Sequence, residues 1–398
     1  MPASPSPAAA QDAPVATPLG LPESELDAAG ALWTAREIAQ QPAMLRRTHA
    51  LVAGLHARLR AFAAPVADDP SACVVLAGAG TSSYIGQCLA PLLDRRLAAR
   101  VQAIATTDLV AAPRLYLDPG APLLLVSFGR SGNSPESIAA VQLVESLVPQ
   151  ARHLFVTCNP EGALGAMPVR QGFTLQLPEE THDVSFAMTS SFSCMLSATL
   201  AAFLPAGALD ARIGPVADAT AAVIDGARDA LRTLAGEGHA RVAWLGSGLL
   251  QGLAREAALK LGELTNGAVA TANDSPLGFR HGPKTFVDRD TLVAVFVSND
   301  EYTRRYDHDL IDELRGDGVA ARVLEITAHP RDGLARDIIA IPGLADAPDI
   351  DLVWPGVAAA QLYAFFASRA HGLSPDNPNP QGIVNRVVQG VRVHPLDA

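Results

Sequence analysis

The sequence predicts an α/β protein of two tandem units, each a parallel sheet flanked by helices in a doubly wound arrangement. Three observations carry that prediction. Short apolar runs of strand length each lead into a Gly- or Ser-rich turn and then a helix-length segment. The same order recurs in the second half, where Gly246 to Ser298 covers nearly the span from Gly78 to Ser127. The chain has 398 residues, 49% of them hydrophobic, which suffices for two packed cores.

Residues 1–22 are rich in Ala and Pro, carry neither a basic leader nor a long apolar core, and read as a disordered tail. Residues 23–60 read as helical, with Leu26, Leu32, Ile38, Met44 and Leu51 on a broken 3.6-residue period, and are expected to pack across both units. The first unit, 61–214, has strands expected at 73–77, 101–105, 123–127 and 154–158, with helices through 89–97 and 192–204. Residues 207–214 supply the break. The second unit, 215–398, opens with a strand at Val242 running into Gly246-Ser247-Gly248. A helix at 253–264 and strands at 292–297 and 319–326 follow.

Composition excludes several function classes. The 30 basic residues against 41 acidic ones give a charge of −11, the wrong sign for a nucleic-acid binder. No stretch reads as apolar enough to span a bilayer, so a soluble cytoplasmic protein with no membrane partner is expected. Cys73, Cys88, Cys158 and Cys194 are widely spaced with no C-x-x-C pair, which predicts buried reduced thiols and no metal or other cofactor.

In open α/β sheets ligands sit beyond the carboxyl ends of strands. There the first unit is rich in hydroxyls: Gly78-Ala79-Gly80-Thr81-Ser82-Ser83 opens one helix, and Gly129-Arg130-Ser131-Gly132-Asn133-Ser134 opens another before Pro135 and Glu136. Unpaired N–H groups, a positive dipole end and Ser hydroxyls match a phosphate dianion, and Arg130 can add a charge-assisted bond. Either loop alone is equally readable as a capped turn. Gly78-x-Gly80 and Gly246-x-Gly248 begin a dinucleotide fingerprint, but Ser83 and Gln251 stand at its third position.

Glu256, Lys260 and Glu263 fall on one face of the 253–264 helix. Taken alone they describe an ordinary surface ion pair as well as a site. The following loop, Asn273 to Lys284, has little periodicity yet sets Arg280, His281 and Lys284 between Gly and Pro, as functional loops do.

Together, G-x-G-T-S, S-x-G-x-S-G-x-S, E-x-x-L-K-L-x-E and a following H-G-P resemble the sugar isomerase (SIS) family, especially the isomerase domain of glucosamine-6-phosphate synthase. Leu32-Trp33-Thr34-Ala35-Arg36-Glu37-Ile38 and Asn385-Arg386-Val387-Val388-Gln389-Gly390 resemble more specifically its galactosamine-6-phosphate deaminase/isomerase branch. The resemblance implies two tandem flavodoxin-like SIS domains. It implies that Thr81, Ser82, Arg130, Ser131 and Ser134 surround a 6-phosphate, that the 183–189 segment with Thr189 approaches the sugar, and that Glu263 is the base moving a proton between C1 and C2. Glu256 and Lys260 would be its neighbours. His281, which opens the sugar ring in the family, would come from the adjacent subunit, implying a homodimer. Where the synthase has a ring-opening lysine this chain has Arg386, which stays protonated and cannot form a Schiff base.

The resemblance therefore points to a cofactor-free isomerase that deaminates galactosamine 6-phosphate to tagatose 6-phosphate. Glucosamine 6-phosphate, plain aldose–ketose isomerisation and a non-catalytic sugar-phosphate sensor are the alternatives.

Overall fold

Buried on both faces, the apolar runs become parallel strands, because each helical crossover lays a helix over the sheet. The computed structural model describes residues 17–396 except 334 and 389. Residues 1–16 of the expected tail and Gln389 of the C-terminal motif lie outside the described residues. Strands β1 (Cys73–Gly78), β2 (Arg100–Ala105), β3 (Leu123–Gly129), β4 (Ala151–Thr157) and β5 (Gly172–Gln176) form one parallel sheet in the order β2-β1-β3-β4-β5. Strands β6 (Arg241–Gly246), β7 (Ala270–Asp274), β8 (Thr291–Phe296), β9 (Arg322–Thr327) and β10 (Ile338–Ala340) form the second, ordered β10-β9-β8-β6-β7. Read from its other edge, that is the order of the first sheet. Strand order reverses at β1/β3 and again at β6/β8, which makes two equivalent crevices.

The expected strands form, while the edge strands β5, β7 and β10 go beyond the sequence reading. β5 and β7 are short, largely polar and half exposed, so they lack the apolar run that marks a central strand. The strand expected from Val319 starts at Arg322, leaving Val319 half exposed.

The two units share one apolar core. Helix Thr81–Asp94 of the first packs on helix Leu250–Leu264 of the second, and helix Val353–Ala370 packs on Leu250–Leu264, Arg228–Gly236 and Asp210–Gly226. Helix Asp210–Gly226 runs straight through the boundary expected at 214/215. The expected 23–60 helical segment is three helices, Glu23–Ala28, Leu32–Ala39 and Gln41–Ala67. Gly30 breaks the first from the second at φ +57°, where a Cβ would lie 2.4 Å from Ser374 Oγ. Residues 17–22, expected as tail, form a short turn with Pro18, Leu19 and Leu21 buried.

Contrary to the sequence expectation, one stretch, Asp349–Ala370, is long and apolar enough to span a bilayer, with mean hydropathy 1.3. It is wholly buried inside the fold, as a core helix packed among the helices of the second unit and the N-terminal helix Leu32–Ala39. Cys88, Cys158 and Cys194 are buried and Cys73 half-buried, all as free thiols. The C-terminal segment leaves the second unit and returns to the N-terminal helices, where Asp376 Oδ1 accepts from Thr34 N at 2.8 Å and Thr34 Oγ1 at 2.7 Å.

Candidate functional site

At the first crevice the turn after β1 is so tight that a Cβ on Gly78 would lie 2.4 Å from Ser82 Cβ. Gly80 at φ +55° and Gly132 at φ +67° complete the two turns. Helix Thr81–Asp94 and helix Pro135–Leu147 therefore begin beside one cavity of about 190 Å³. Thr81, Ser82, Arg130, Ser131, Ser134, Glu263 and Arg386 all line it. Two helix starts and five hydroxyl-bearing residues, Ser137 being the fifth, surround that volume and form a receptor for a compact anion.

Arg130 is 6% exposed, and its Nη1 donates to Ser185 O at 3.0 Å and Phe186 O at 2.9 Å. Its Nη2 donates to Arg386 O at 2.9 Å. These bonds go to carbonyls, leaving part of the guanidinium's donor set for the cavity. Burial first, and the neighbouring Arg386 second, pull its pKa down to about 10, so it stays cationic at neutral pH. Arg386 lies over the same wall, with Nε donating to Ser185 O at 3.2 Å and Nη2 to Asp183 O.

Beneath the cavity lies a buried line of polar groups. Thr81 Oγ1 donates to Glu256 Oε1 at 3.3 Å, Lys260 Nζ lies 3.6 Å from the same oxygen, and Lys260 Nζ donates to Glu263 Oε2. Glu256 and Lys260 are completely buried, whereas the Glu263 side chain keeps 27% of its surface exposed. The ordinary surface ion pair is thus ruled out, because the helix is sandwiched between helices Thr81–Asp94 and Val353–Ala370. Burial pushes Glu256 up to about 8, with Lys260 opposing the shift and Glu263 adding to it. Burial disfavours the Lys260 charge, but Glu256 and Glu263 outweigh it and raise its pKa. A proton held on Glu256 leaves one ammonium facing one carboxylate, so Glu263 is presented to the cavity on a fixed support.

Glu263 also lines a second, larger cavity of about 530 Å³, together with Tyr84, Arg255, Asn266, Thr271, Asn273 and Asn379. Phe186 and Val384 likewise border both spaces. Sequence reasoning missed this second chamber of mixed lining, since its residues come from five separate segments and share no motif.

Two expected site residues lie elsewhere. Thr189 is fully buried and off the cavity wall, its N–H donating to Asp183 Oδ2 at 2.7 Å. His281 is exposed in the turn after the short helix Pro276–Phe279 and lines neither cavity of its own chain. Its loop is tied down on both sides: Arg280 pairs with Glu313 at 2.8 Å, and Lys284 with Glu313 and Asp317. Between these pairs His281 faces outward.

Comparison with known proteins agrees with this architecture. The SIS domain model matches residues 71–205 and 237–350. D-galactosamine-6-phosphate deaminase AgaS of Escherichia coli O157:H7 is 44% identical over 384 residues, spanning 95% of this chain and all of the relative. The crystal structure of tagatose-6-phosphate ketose/aldose isomerase from Escherichia coli is 43% identical with a TM-score of 0.85, covering 92% of this chain and 97% of that one. Glucosamine-6-phosphate deaminase from Thermotoga maritima shares the fold at 21% identity and TM-score 0.67, over 89% of this chain and 99% of that one. With two matched segments taking in most of the chain and relatives aligned along nearly all of it, the chain belongs to the SIS domain family.

Proposed function

We propose that this protein is a cofactor-free, deaminating aldose–ketose isomerase that converts galactosamine 6-phosphate to tagatose 6-phosphate and ammonia. The observation that carries the proposal is the position of Glu263, a supported carboxylate on the wall shared by an anion receptor and a larger chamber of mixed polar and apolar lining. The choice of amino sugar is supported by the AgaS relatives and the tagatose-6-phosphate isomerase structure.

In this reading the phosphoryl group sits against Thr81, Ser82, Ser131 and Ser134, with Arg130 and Arg386 supplying positive charge. Ring opening exposes the C1 aldehyde. Glu263 removes the C2 proton, giving a C1–C2 enolamine, and returns a proton to C1, which leaves a C2 imine. Water adds at C2, ammonia departs and the ketose remains. Glu256 and Lys260 hold the base in place. His281 is assigned to ring opening in the site of a second copy, so the working form is a homodimer, in the cytoplasm where sugar phosphates are made. An exposed His281 on an anchored loop supports that assignment.

The test is a panel of hexosamine 6-phosphates in deuterated water, following ammonia and deuterium at C1 of the product. Galactosamine 6-phosphate should give both. Preference for the gluco epimer would change the substrate assignment. Binding without either signal would mark a sensor, and exchange without ammonia a plain isomerase.

A further inference from the structure

The segment Leu32 to Ile38 marks the subfamily, yet none of its residues lines the cavity. Glu37, on helix Leu32–Ala39, is 4% exposed. Its Oε1 accepts from Val184 N at 2.5 Å and Ser185 N at 3.0 Å, and its Oε2 accepts from Ser185 Oγ. Asp183, 1% exposed, grips the other end of the same loop, accepting from Thr189 N at 2.7 Å and from the N–H and hydroxyl of Ser191 at 2.9 and 2.5 Å. The N–H groups of Val184 and Ser185 therefore face Glu37, that of Phe186 donates to Asp376 O, and three of the loop's carbonyls point toward the cavity wall. Those carbonyls, of Asp183, Ser185 and Phe186, are the ones that hold Arg130 and Arg386.

We propose that Glu37 is a positioning residue for phosphate recognition: it fixes the 183–187 loop, whose carbonyls hold both arginines at the cavity wall. The proposal rests on reading that cavity as the phosphate site. The physical advantage lies in indirect anchoring. A carboxylate paired directly with either guanidinium would cancel the charge a phosphate needs, and would compete with it for the same donors. Set one peptide layer back, Glu37 fixes the loop through its acceptor oxygens and leaves the inner faces of both guanidiniums to the ligand. Burial first, and the Asp183 charge second, push Glu37 up to about 8, as expected for an acidic pair sharing a dry pocket.

The test measures kcat and KM for galactosamine 6-phosphate, and competitive inhibition by inorganic phosphate, in Glu37→Ala and Glu37→Gln. Alanine should raise KM and the phosphate inhibition constant together by about 10-fold while kcat falls by less than about 3-fold, the pattern of lost uniform binding. Glutamine, which keeps the acceptor for both N–H groups, should restore the inhibition constant to within about 3-fold of wild type. Combined with Arg386→Ala, the Glu37→Ala effect should be less than additive, because both changes disable one device. If Glu37→Ala fails to fold, Glu37→Asp, one methylene too short to span the loop, takes its place with the same expectation. An unchanged inhibition constant, or full additivity with Arg386→Ala, would overturn the proposal. Wild-type enzyme untouched by phosphate would instead sink the phosphate reading of the cavity, and Glu37's role with it.

Discussion

The two crevices share a topology and differ in what fills them. In the first, the loops after β1 and β3 turn Ser82, Ser131 and Ser134 toward an open cavity. In the second, the equivalent donors are bound by the protein's own carboxylates. Ser247 Oγ donates to Asp307 Oδ1 at 2.5 Å and Ser298 N to Asp307 Oδ2 at 2.9 Å. Ser298 Oγ and Asn299 N both donate to Asp349, at 2.6 Å each. Even the glycines correspond, since a Cβ on Gly246 would lie 2.4 Å from Leu250 O, as one on Gly78 would from Ser82 Cβ. A crevice at the strand ends offers donors to an anion in either copy. Whether that anion is a ligand or a side chain is decided by a few residues on neighbouring segments.

That division yields predictions of decreasing size. The largest concerns the group that the second unit lends to the first. Glu263→Gln should fold and bind substrate while ammonia release drops by roughly 10²- to 10⁴-fold, the usual worth of a general base; near-normal turnover would remove Glu263 from the mechanism. Next, Ser131→Ala with Ser134→Ala should raise KM by roughly 10²-fold or more with a smaller change in kcat, each lost charge-assisted bond being worth about 1.5–3 kcal/mol. The matching change in the second crevice, Asp349→Ala, should leave KM within about 2-fold and instead cost about 1–3 kcal/mol of stability, read as a lower Tm, because Ser298 and Asn299 lose their acceptor. Added phosphate should recover Tm in this variant more than in wild type. An Asp349→Ala KM as high as that of the serine pair would erase the contrast.

The remaining prediction concerns pH dependence. Burial raises Glu256 from 4.5 to about 8 and Asp307 from 3.8 to about 6. A carboxyl raised in the fold contributes fully below its unfolded pKa, and that contribution is lost as pH rises through the folded one. Stability should therefore decline between about pH 4 and 8. Glu256→Gln should flatten the upper part of the decline in urea melts, and an unchanged slope would place that titration elsewhere.

Much of this was legible in the chain. The central strands, the Gly/Ser turns and the helix starts are local matters of hydrophobic run length and turn chemistry, so the residues around Ser82 and Ser131 could be named from sequence. The one-face spacing of Glu256, Lys260 and Glu263 was equally legible, but their burial was not, because it depends on helices contributed by both units. Edge strands such as β7 escaped notice for want of an apolar run.

By itself, then, the sequence determined the two-fold α/β plan, the hydroxyl-rich cradle and the carboxylate face, all properties of neighbours along the chain. Tertiary structure alone decided the rest. It brought Arg386 back across 256 positions to Arg130, put Glu37 behind the 183–187 loop, set Asp307 and Asp349 against the donors of the second crevice, and turned His281 away from its own chain's cavity. The physical reason is range: turn and helix chemistry acts over a few residues, whereas charge balance in a buried site is set by whichever distant segments the fold packs together.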